Sequence, residues 1–99
     1  MYDKILRRMR KAARAGRVRF TDHATDEMGN EDLSRDDVVN GILTGEIMGD
    51  QFDIGYGDTK YVIYGDALDD REIGVVAKMD VYGNVAVITV YQLKITDYE

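Results

Sequence analysis

The sequence predicts an α+β domain in which N-terminal helices pack on one face of a roughly four-stranded antiparallel sheet. Near Gly45 the spacing of apolar residues changes from a helical to a two-residue period. Beyond that point "KYVIYG", "IGVVAKMD" and "VAVITVYQLKI" are rich in β-branched and aromatic residues and are separated by Gly, Asp and Asn turns. Helices followed by a run of strands, rather than alternating with them, indicate α+β. The chain has 99 residues, enough for one modest core, and reads as a single domain, 1–99.

In chain order, residues 2–15 form an amphipathic helix. Tyr2, Ile5, Leu6, Met9, Ala12 and Ala13 share one arc, and Arg7, Arg10, Lys11 and Arg14 lie opposite. Gly16 is its stop. "RVRF" (17–20) alternates, as a short edge strand or an extended lead-in would. Thr21 or Asp22 caps a short helix running to about Met28. Ser34 with Asp37 three residues on resembles a capping box and opens a helix over 35–44, with Val38, Val39, Ile42 and Leu43 inward. Strands are expected at 46–52, 60–65, 73–80 and 85–95, the last two joined by a tight hairpin at "YGN". Tyr61 and Tyr64 have opposite parity and should face opposite sides of the sheet.

The charge is divided. Residues 1–20 hold eight Lys or Arg and one Asp, whereas residues 21–99 hold five Lys or Arg and eighteen Asp or Glu. A basic block of this kind meets nucleic acid or an acidic partner, or docks on the acidic remainder of its own chain. The last is the simplest expectation, since that partner is always present. The absence of cysteine excludes disulfides and thiolate chemistry and suits a reducing compartment. No apolar run is long enough to cross a membrane, and no signal-peptide pattern follows the first basic residues. The chain therefore reads as cytoplasmic, without a membrane partner. An open sheet edge could pair with a second copy to give a homodimer.

His23 is the only histidine. Asp26 and Glu27 lie three and four residues on, on the outer side of the same helix. A carboxylate one turn away orients an imidazole, as a general acid or base requires. A boundary histidine bonded to the local backbone fits the same position. A metal site built from His23, Asp26 and Glu27 lacks the further His or Cys that zinc favours. The strand tyrosines suit cross-strand packing or, on an uncovered face, base stacking or proton transfer. Lys78 could hold a phosphate or keep a solvated face soluble. No phosphate loop, zinc signature or Ser-centred nucleophile motif is present, and no cofactor is implied.

The stretch "RVRFTDHATDEM…LSRDDVVNGILTGEIMGD" resembles a bacterial family of domains of unknown function. Its members read His-Ala, an Arg-Met pair, a Glu-Arg pair, Gly-Ile-Ser and an acidic helix ending Asn-Gly-Glu-Ile-Ile. His23, Ala24, Met28, Leu33, Ser34, Asp37, Val38, Gly45, Glu46 and Ile47 keep that pattern, and "KYVIYGD" and "VAVITVYQ" resemble the family's two characteristic strands. The likeness covers about residues 17–92. That family is similar to the MqsR and RelE toxins of the barnase–EndoU–colicin–RelE ribonuclease fold. The resemblance implies a metal-independent, toxin-like ribonuclease acting on single-stranded RNA, with a cognate antitoxin or other protein as partner. By match, His23 is its first catalytic candidate and Tyr91 the second, with Lys78 added by position. Glu27 and Glu31 stand where the family's motif has Arg, and Asn30 where it has Glu. Both changes to Glu put negative charge beside His23, against RNA binding. The alternative is a non-catalytic binding or regulatory module that contacts nucleic acid or a protein through Arg7, Arg10, Lys11 and Arg14.

Overall fold

The computed structural model describes residues 1–93. It contains helices α1 (Asp3–Arg14), α2 (Asp22–Asn30) and α3 (Arg35–Thr44). The strands are β1 (Val18–Phe20), β2 (Glu46–Asp53), β3 (Asp58–Asp66), β4 (Glu72–Met79) and β5 (Val85–Gln92). The predicted end of the last strand, Lys94 and Ile95, lies outside the described residues.

Strands β2 to β5 form the expected antiparallel meander. The sheet differs from expectation in having a fifth strand and in being mixed. Its order is β1-β5-β4-β3-β2, and β1 runs parallel to β5, with Val18 opposite Val85 and Phe20 opposite Val87. "RVRF" is thus an edge strand whose partners lie at the other end of the chain. Three residues carry too little local pattern to announce such a pairing.

Local chemistry sets the helix ends. Gly16 adopts φ +76° just past α1, where the Gly16 and Arg17 amides donate to the Ala13 and Ala12 carbonyls and close a Schellman motif. Thr21 caps α2 through a 3.1 Å bond from the Ala24 amide. The expected box opens α3: Ser34 Oγ accepts from the Asp37 amide at 3.1 Å, and Asp37 Oδ2 accepts from the Ser34 amide at 2.8 Å. At the other end of α3 the backbone meets β3 closely. A Cβ added to Gly65 would lie 2.0 Å from the Gly41 carbonyl oxygen, so only glycine allows this approach.

The helices cover one face of the sheet. Met9, Ala24, Val38 and Ile42 pack there on Ile63, Ile73, Val75, Val87 and Val90, all buried. A bulge in the β4–β5 pairing, between Val76 and Ala77, shifts the parity of β5. Val90 therefore turns into the core, and Tyr91 turns to the face that no helix covers. Tyr61 faces α1, where it meets Tyr2 edge-on at 6.1 Å, and Tyr64 faces the bare side, as their parity predicted.

Candidate functional site

His23 projects from the first turn of α2, its side chain 66% exposed. Its Nε2 lies 3.2 Å from Glu27 Oε2. The other oxygen, Oε1, accepts from the buried amide of Val90 on β5 at 2.9 Å. β1 ends at Phe20, so on the side away from β4 the strand β5 has no strand partner beyond the bond from the Thr21 amide to the Val87 carbonyl. The Thr21 hydroxyl donates to the next carbonyl, Ile88, at 3.3 Å, and Glu27 meets the amide after that. α2 thus continues the edge with side chains, and the carboxylate that steadies His23 is also part of the fold. An arginine at position 27 could not accept the Val90 bond. Nothing local to Glu27 in the sequence signals this second role, since Val90 lies 63 residues away.

The three candidate catalytic residues are not gathered into one cluster. Tyr91 lies on the bare face, its ring directly over Gly74, where a Cβ would come within 2.4 Å of it. Burial raises the Tyr91 phenol above its ordinary 10.0, and the adjacent Tyr64 hydroxyl adds to the shift. Tyr91 therefore keeps its proton at neutral pH. Lys78 shares that face four residues along β4 from Gly74, about 13 Å away at strand rise. Its ammonium is paired with Asp58 and sits 5.7 Å above the Tyr56 ring. His23 belongs to the helix-covered side, with the Glu27 carboxylate as its neighbour.

The cations of the bare face are neutralised. Lys60 pairs with Asp53 at 3.3 Å and Arg19 with Asp80 at 2.9 Å. Arg19, then the Asn84 amide, hold the Asp80 carboxyl far below its usual range. A concavity of about 600 Å³ between the two hairpin tips contains Lys78, Asp58, Arg19 and Asp80, so its charges cancel. Among the described residues no group of three His, Asp or Glu gathers at metal-binding distance.

The basic helix behaves differently, and it departs from two expectations. Of the eight cations in residues 1–20 only Arg19 pairs with the acidic remainder of the chain: Lys4, Arg7, Arg8, Lys11, Arg14 and Arg17 make no ion pair among the described residues. Arg10, grouped in the sequence with the outward cations, is instead half-buried against α3. It donates to the Gly45 carbonyl at 2.7 Å, satisfying the chain end of that helix. Lys4, Arg8 and Arg17 lie outside the set that the sequence predicts for this surface, Arg7, Arg10, Lys11 and Arg14. Arg8 adjoins Arg7, and Arg17 follows the Gly16 stop, so the charge count alone contained the signal. Every other Lys or Arg among the described residues has a carboxylate or carbonyl partner, Arg35 on Val18 and Arg71 on Asp69 included.

The fold and site define a small α+β domain with a bare sheet face whose cations are all paired and a helix whose exposed cations make no ion pair among the described residues. The chain belongs to the DUF4258 family, a domain of unknown function, whose profile matches residues 20–92. His23, Tyr91 and Lys78 fall inside that match, and α1 precedes it. No curated protein and no solved structure matches the chain. No helix among the described residues is long and apolar enough to cross a membrane.

Proposed function

We propose that this domain is a nucleic-acid-binding module whose contact surface is the exposed side of α1. The observation that supports it is the segregation of charge. Six cations on or next to one helix have no partner among the described residues, in a chain whose net charge is −6. Holding like charges together costs free energy, and a polyanion offsets that cost by releasing its counterions. The stripe from Lys4 to Arg14 runs about 15 Å at helical rise, enough to meet several phosphates of one backbone. Labelled RNA or DNA, titrated at increasing salt, tests this. With about four phosphates engaged, log K should fall with log salt at a slope of about −3 to −4. Arg7→Glu, Lys11→Glu and Arg14→Glu together should abolish binding. Wild type that binds nothing at low salt would overturn the reading.

A second reading, a toxin-like ribonuclease of the RelE and MqsR kind, is favoured by the His23–Glu27 pair. An exposed imidazole held by an anchored carboxylate suits a general acid or base at a 2′-hydroxyl or a leaving oxygen. In this reading His23 and Glu27 carry the proton transfers, because Tyr91 and Lys78 lie on the other face of the sheet. Induced expression of wild type beside His23→Ala, following growth and total RNA, tests it. Growth arrest with RNA fragmentation in wild type alone supports the reading. Two harmless, equally folded proteins refute it.

A further inference from the structure

At its C-terminal end α1 meets the β4–β5 hairpin in a concavity of about 430 Å³, a size that small ligands fill. Arg8, Lys11 and Arg17 form its rim, and Ala12, Ala15 and Met79 its apolar floor. The Arg17 guanidinium lies against the turn, 3.6 Å from where a side chain on Gly83 would begin. No carboxylate lines this concavity, unlike the charge-balanced one around Lys78.

We propose that this concavity accepts one nucleotide of a single-stranded nucleic acid, its phosphate against Arg8, Lys11 and Arg17 and its base on the floor. The proposal rests on the reading of α1 as a nucleic-acid contact, and it specifies the form of nucleic acid. Three unpaired cations select an anion, and the apolar floor asks for a flat apolar body attached to it. A nucleotide supplies both. The cationic stripe continues outside the concavity through Lys4, Arg7 and Arg14, so the ligand is a strand rather than a lone mononucleotide. A duplex keeps its bases stacked inside and reaches only the stripe, whereas a single strand can splay one base outward.

The test compares a short labelled oligouridylate with an RNA duplex of equal length, by fluorescence anisotropy at low salt. Wild type should bind the single strand about tenfold more tightly. Ala15→Leu fills the concavity from an exposed position and leaves every charge in place. It should remove that preference and leave duplex affinity unchanged. Arg17→Gln, at a side chain that makes no hydrogen bond or ion pair among the described residues, should weaken the single strand more than the duplex. Thermal unfolding of each variant confirms that it is folded. Equal affinity of wild type for both forms overturns the proposal while leaving α1 as a contact surface. So does a folded Ala15→Leu protein that retains the preference. Binding of neither form overturns the surface and the concavity together.

Discussion

Glu27→Ala isolates the structural half of the His23–Glu27 pair. Glu27 accepts the amide of Val90, a residue only 1% exposed, at 2.9 Å. Removing the side chain leaves that donor without a partner at a place water reaches poorly. A hydrogen bond to a charged group contributes about 1.5–3 kcal/mol, so the expected loss is about 2 kcal/mol. For a domain of this size that lowers the melting temperature by about 10 °C. Glu27→Gln keeps an acceptor oxygen and should lose less than about 1 kcal/mol. His23→Ala touches only the exposed side of the pair and should lose less than about 0.5 kcal/mol. Urea unfolding of the four proteins, with equal m values, measures all three differences. Amide exchange at Val90 should accelerate in Glu27→Ala beyond the global loss. If Ala and Gln are equally harmful, or if His23→Ala is the most damaging, Glu27 does not act through the Val90 amide.

Three further outcomes follow from the packing and the charges. Gly65→Ala forces a Cβ to within 2.0 Å of the Gly41 carbonyl oxygen and should destabilise by at least about 2 kcal/mol, read by thermal unfolding. Arg10→Ala orphans the Gly45 carbonyl and should lower stability by about 1–2 kcal/mol without changing nucleic-acid affinity, which separates it from Arg7. Asp37, Asp53, Asp69 and Asp80 all have carboxyls lowered from 3.8 in the fold. Their contribution is fully present above that value and is lost as pH falls through and below it. Stability should therefore drop on acidification below about pH 4, and Asp80→Asn should flatten that drop in a pH series of unfolding midpoints.

How much of this was legible in the sequence depended on how local each cause is. The helix α3 is found where the sequence placed it, because Ser34, Asp37 and Gly45 act within a few residues. The apolar arc of α1 was equally plain, and Met9, Ala12 and Ala13 are its buried centre. The parallel pairing of β1 with β5 was hidden, since it joins three residues to a distant strand. The face of Tyr91 was hidden too, because one extra residue in the β4–β5 ladder reverses parity beyond it. Arg10 and Arg7 look alike on a helical wheel, and only the seating of α3 tells them apart. Charge counting found the basic segment but not its isolation, which depends on where each aspartate lands in three dimensions.

The position of β5 between β1 and β4 has a consequence for how the chain acquires its shape. The last of the described strands is an interior member of the sheet, and it is the one strand with which β1 pairs. Thr21 reaches Ile88 across 67 residues of sequence and Glu27 reaches Val90 across 63. On a ribosome, Thr21 and Glu27 emerge well before β5 and must wait for it before these partners exist. Contacts of this range slow folding and make it cooperative. The Glu27–Val90 bond thus forms only once β5 exists, so a chain halted before residue 85 carries His23 and Glu27 without the amide that anchors the carboxylate.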